Sequence, residues 1–134
     1  MMERNSWGAR ARKVGGAVLL PALVAWTQPA FSAGDAPGAA VFSAECGECH
    51  SLKEGRNKKG PTLFGTLGRK AGTQPGFEFS EELRRTGWTW NQETLRSYLS
   101  QPTKKANPGT KMKYEGLADP KSLEALIAYL TAPK

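Results

Sequence analysis

The chain is 134 residues long with a formal net charge of +7, and it holds two cysteines and one histidine. It carries no internal repeat, no low-complexity tail and no long apolar run beyond one near the N-terminus, which leaves one small domain rather than a repeat array or a multispan membrane protein. The basicity comes with no nucleic-acid-binding motif, and nothing in the pattern suggests hydrolytic catalysis.

Arg10, Arg12 and Lys13 form a basic region ahead of a mostly apolar run, Val14 to Trp26, that includes Leu19, Leu20, Leu23 and Val24. Ala30-Phe31-Ser32 puts small residues at the two positions a signal peptidase reads, so residues 1–32 are expected to be an export signal cut before Ala33 or a residue later. The alternative is a retained anchor facing the periplasm. Against it, the run is interrupted by Pro21 and is shorter than the roughly 20 apolar residues that span a bilayer. No adjacent arginine pair is present, so the chain is expected to cross unfolded and to work in the periplasm, where thiols meet oxidising conditions. Residues 33–134 then form the single domain, and loss of the signal lowers the net charge to +4.

A first helix is predicted from Asp35 or Ala36, with Pro37 tolerated in its first turn and Val41, Phe42 and Ala44 available for packing. It runs into Cys46-Gly47-Glu48-Cys49-His50. Two thiols three residues apart with an imidazole next in line match the attachment signature of a c-type haem: each thiol can add across one vinyl group, and the histidine is placed beneath the iron. Three plainer readings compete, namely a thioredoxin-like redox pair, a zinc half-site and a simple disulfide. Zinc would need a fourth ligand, and the chain has no third cysteine and no second histidine. A thioredoxin-like site would open a helix within a βαβ pattern, and strand-like runs are missing around it. A haem would supply much of the buried surface in so small a domain, so the apoprotein is expected to fold poorly.

Ser51 to Lys59, with Gly55, Arg56, Asn57, Lys58 and Lys59, reads as an exposed loop. In the next stretch Gly60, Gly65, Gly68 and Gly72 argue for backbone folded tightly against something bulky, and Leu63, Phe64 and Leu67 argue that part of it is buried. Thr89 to Gln92 reads as a T-x-x-Q capping box for a helix with Trp90, Leu95, Tyr98 and Leu99 on one face, closed by Pro102. Thr103 to Thr110 is expected to be irregular and leads to Met112. Asp119-Pro120 offers an N-cap and a favourable first residue for a last helix, whose Leu123, Leu126, Ile127 and Leu130 form an apolar stripe.

Taken together, these blocks resemble a class I cytochrome c of the mitochondrial and short bacterial type. The matching stretches are Gly38 and Phe42, CGECH, GPTLFGTLGRKAGTQPGF from Gly60 to Phe77, TWNQETLRSYL from Thr89 to Leu99, PGTKM from Pro108 to Met112, and LIAYL from Leu126 to Leu130. The resemblance implies an all-α cytochrome c fold wrapped around one covalently attached haem c. Its first and last helices would cross beside the haem, with Gly38 allowing close approach. It further implies Cys46 and Cys49 as the attachment points, His50 and Met112 as the axial iron ligands, and Pro61 as the carbonyl that accepts the His50 proton. Arg69, Trp90, Tyr98 and Thr110 would bond to the ligand region or to a haem propionate.

Two departures are visible. Phe79 and Leu83 stand where mitochondrial members usually carry Tyr and Asn, and the loops before Gly60 and Pro108 differ in length by one residue each. With both axial positions filled, the resemblance implies a soluble single-haem electron carrier rather than an enzyme. It would run as a monomer between redox protein partners, without a small-molecule substrate. Lys53, Lys58, Lys59, Lys104, Lys105, Lys111 and Lys113 could ring the haem edge and steer partners with acidic surfaces. Two alternatives remain: a dedicated subunit of a dehydrogenase or oxidase complex, and a peroxidase or gas-binding protein, which would need Met112 to be displaced easily.

Overall fold

The computed structural model describes residues 35–132, so the expected export signal and its cleavage point lie outside the described residues. Five helices occur among the described residues, in the order α1 (Asp35–Glu45), α2 (Glu81–Arg85), α3 (Gln92–Leu99), α4 (Thr103–Ala106) and α5 (Pro120–Thr131). Among the described residues the only β-pairing is an isolated antiparallel bridge between Lys70 and Thr89.

The first and last helices make the main helix–helix contact. Asp119 caps α5 by accepting from the Ser122 amide at 2.8 Å, with Pro120 at its first position, as the sequence predicts. The stripe it carries is the core: Leu126 and Ile127 are fully buried, with Leu123, Leu95, Tyr98, Leu99 and Cys46 around them. α1 fits against it because Gly38 has no side chain, since a Cβ there would run into the Ala125 carbonyl oxygen and the Tyr129 Cβ. Phe42 and Tyr129 then meet at 6.0 Å between ring centroids. Ala44, expected to pack, is exposed, while Val41 and Phe42 are half-buried.

Several elements differ from their sequence reading. Asn91, not Thr89, caps α3, its side chain accepting from the Thr94 amide at 2.8 Å. Thr89 is engaged in the bridge to Lys70 instead, and Trp90 therefore precedes the helix. The segment expected to be irregular after Pro102 contains the short helix α4. Helix α2, not predicted at all, is capped by Ser80, which accepts from the Leu83 amide at 3.3 Å, and has Glu81 and Glu82 in its first turn. Leu67 is 47% exposed rather than buried.

Gly38→Val forces a branched side chain into the α1–α5 contact, where one neighbour is backbone and cannot swing away. We expect a loss of roughly 1–3 kcal/mol, read as a lower denaturant midpoint at unchanged slope.

Candidate haem site

His50 follows the turn that ends α1, where the His50 amide donates to the Cys46 carbonyl at 2.9 Å. The segment after the polar loop then laces back along it: the Gly60 amide donates to the Cys49 carbonyl and the Leu63 amide to the Ser51 carbonyl, both at 2.8 Å. Buried Thr62 ties the knot, its hydroxyl donating to the Lys53 carbonyl at 2.7 Å and its amide to Asn57 Oδ1 at 2.8 Å. Asn57, read as a loop residue, is thus a cross-link, and its amide nitrogen also donates to the Gly76 carbonyl at 2.9 Å.

This lacing presents the Pro61 carbonyl to His50 Nδ1 at 2.7 Å. A carbonyl can only accept, so the proton sits on Nδ1 and, in the neutral ring, Nε2 is left with a free lone pair. Burial holds the imidazole below its ordinary value, the Pro61 bond opposes this, and nearby Lys58 adds to the lowering. Gly60 lies against the ring face; a Cβ there would come within 2.8 Å of Nδ1.

His50, Cys46 and Cys49 line a cavity of about 340 Å³, and Pro61, Arg69, Trp90, Tyr98, Thr110 and Met112 line the same cavity. The nine residues proposed as haem attachment, ligand and contact groups are therefore in one place, drawn from the turn after α1, the segment between α1 and α2, the segment just before α3, α3 itself and the segment after α4. Arg69 and Trp90 are brought side by side by backbone pairing: the Trp90 amide donates to the Arg69 carbonyl at 2.9 Å and the Gly68 amide to the Trp90 carbonyl at 2.8 Å. The Arg69 guanidinium is bonded to Gln74. Tyr98 packs edge-on against Trp90 at 5.3 Å, and its hydroxyl lies 3.4 Å from Thr110 Oγ1.

Leu83, Phe79 and Phe77 add apolar wall, the two phenylalanines meeting edge to face at 4.9 Å. Of the lysines expected near the opening, Lys59, Lys111 and Lys113 line the cavity, whereas Lys53, Lys58, Lys104 and Lys105 are exposed outside its lining. Lys59 pairs with Glu48, and Lys111 lies 3.4 Å from Glu78.

Glu45 and Tyr114 also line the cavity and were not singled out from the sequence. The Tyr114 hydroxyl is shut off from solvent without a well-aligned partner, and burial, reinforced by Glu45 and Cys46, holds the phenol far above its ordinary value. Their only sequence signal was position, one residue before the first cysteine and two after the methionine. Burial, then Glu45 and Cys49, pushes the Cys46 thiol up to about 11. That is opposite to the lowered thiol of a thioredoxin-like pair.

A mostly apolar-walled cavity, two thiols on its lining, a buried imidazole with one lone pair available and a thioether in the same space fit a covalently held haem. The class these features define is a small helical haem domain. The sequence model of the family described as cytochrome c matches residues 36–132. Cytochrome c2 iso-2 of Magnetospirillum fulvum is 48% identical over 85 residues, 63% of this chain and 88% of the relative. Cytochrome c of Cochliobolus lunatus is 45% identical over 102 residues, 75% of this chain and 94% of the relative. The solved structure of cytochrome cH from Methylobacterium extorquens aligns with a TM-score of 0.66 at 42% identity, covering 72% of this chain and 95% of that one.

The chain belongs to the cytochrome c family. It is a single-haem electron carrier rather than an enzyme, holds haem c covalently, and exchanges electrons with redox partner proteins.

Gly60→Ala should push the His50 ring off its Pro61 bond. The expected outcome is a loss of roughly 1–3 kcal/mol in stability together with a lower yield of low-spin holoprotein, checked by denaturation and by the oxidised optical spectrum.

Proposed function

We propose that this carrier binds its haem through thioethers at Cys46 and Cys49 and holds the iron between His50 and Met112, working in the periplasm as a monomer after removal of residues 1–32. The observation that carries the reading is the His50 Nδ1–Pro61 bond, which leaves Nε2 with a free lone pair on a histidine that lines the same cavity as Met112. Bound haem c supplies a one-electron Fe(III)/Fe(II) couple. The chain's part is to hold the ligands and exclude water. His50 is fixed in one tautomer by Pro61. Met112 provides a soft sulfur that favours the ferrous state, and its backbone amide is steadied on Thr110 Oγ1 at 3.2 Å.

Arg69 and Trp90, adjacent through their paired backbones, are suited to meet the haem carboxylates. Arg69 can do so by trading Gln74 for a charged acceptor. Lys59, Lys111 and Lys113 mark the face that meets a partner. The Lys59–Glu48 and Lys111–Glu78 pairs are solvent-exposed, so a partner's carboxylates can replace Glu48 and Glu78 at little cost. The basic and apolar pattern of residues 10–26 supports export.

Met112→Ala should keep the attached haem but abolish the weak long-wavelength methionine-to-Fe(III) band and let the reduced protein bind carbon monoxide. An unchanged spectrum and no carbonyl shift would remove Met112 from the iron. Cys46→Ser or Cys49→Ser should sharply lower covalent haem retention, seen as haem extracted by acid–organic solvent. Lys113→Glu should slow electron transfer to an acidic partner about tenfold at low salt, the difference shrinking as salt screens the surface.

A further inference from the structure

Thr103, at the start of α4, has no role in the site as read so far, yet it is the most constrained polar side chain near Met112. It is 1% exposed, between Pro102 and the exposed Lys104 and Lys105. A hydroxyl this deeply buried needs partners, and it finds them on the backbone of residues 112–114. Its oxygen donates to the Met112 carbonyl at 2.7 Å and accepts from the Tyr114 amide at 3.2 Å. The Thr103 amide in turn donates to the Tyr114 carbonyl at 2.9 Å. The other side of Met112 is held by Thr110, whose hydroxyl accepts the Met112 amide. Two threonine hydroxyls therefore grip the peptide groups on either side of one half-buried methionine.

Residues 112–119 belong to no helix or strand, so no regular ladder fixes the backbone that carries Met112. The geometry points to Thr103 as a positioning residue that decides whether Met112 stays in the site. Its hydroxyl latches the 112–114 backbone onto α4, and its release opens the sixth coordination position to an outside ligand. This rests on the reading of Met112 as axial ligand. The energetic bias is one-sided: without the hydroxyl, the Met112 carbonyl and Tyr114 amide lose a partner in the closed form, while in an open form water satisfies both.

The test compares oxidised holoprotein of the natural sequence with Thr103→Val, Thr103→Ser and Met112→Ala, reading the long-wavelength methionine band and the affinity for imidazole. Valine keeps the shape and removes the hydroxyl; it should weaken the band and raise imidazole affinity about tenfold, the size expected for one buried hydrogen bond. Serine restores the hydroxyl and should behave as the natural protein. A natural protein without the band, or Met112→Ala retaining it, overturns the axial reading and the latch with it. A normal band and unchanged imidazole affinity in Thr103→Val overturn the latch alone, as does serine failing to rescue.

Should Thr103→Val not accumulate as holoprotein, the natural protein carries the test through amide exchange. Bound imidazole should strip protection from the Tyr114 amide along with that of Met112. A Tyr114 amide still protected in the imidazole complex overturns the latch.

Discussion

The bond from His50 Nδ1 to the Pro61 carbonyl is the constraint on which the rest of the site depends. It joins two residues eleven positions apart, and the backbone pairs of Gly60 with Cys49 and of Leu63 with Ser51 hold its acceptor in place. Proline suits the acceptor position because it has no N–H to satisfy, so its carbonyl alone must be aimed. Thr62 and Asn57 fix that aim from behind, and Asn57 carries the restraint onward to Gly76. The loop from 51 to 63 is thus a rigid bracket despite its polar composition.

The two halves of the site are built unequally. The histidine half draws on residues close in sequence, with backbone pairs and a fully buried threonine to lock it. The methionine half is an irregular segment held by side-chain hydroxyls and by the Leu117 amide on the Leu99 carbonyl. Buried hydrogen bonds of this kind each contribute about 1 kcal/mol, so loss of a single hydroxyl is enough to loosen the methionine half. The aromatic wall of Trp88, Trp90 and Tyr98 is packed edge to face and touches the methionine half through the Tyr98 hydroxyl, 3.4 Å from Thr110 Oγ1.

What could be seen in the sequence was whatever depends on neighbours in the chain. The cysteine–histidine motif, the Asp119-Pro120 start and the stripe of α5 are local patterns, and they survive folding because burial and capping act at that same range. α2 and α4 have five and four residues, too few for a period to declare itself, although Ser80 followed by two glutamates was a capping signal open to recognition. Thr89 and Asn91 were both chemically able to cap α3. The choice between them was made by Lys70, nineteen positions upstream, which takes the Thr89 backbone into a bridge. Thr103 was invisible for a related reason: beside two lysines it reads as surface, and only the return of residues 112–114 buries it.

The contact between α1 and α5 also sets an order of events. Gly38 and Phe42 can reach Ala125 and Tyr129 only after α5 has been made, since the two helices are separated by the 74 residues of 46–119, which must close as one loop. A chain that emerges N-terminus first therefore has Cys46 and Cys49 in the open long before the helix that will bury Cys46 arrives. Non-local closure of this kind is slow. The topology thus leaves Cys46 short of its full burial until α5 arrives, whereas Cys49 stays exposed even in the closed domain.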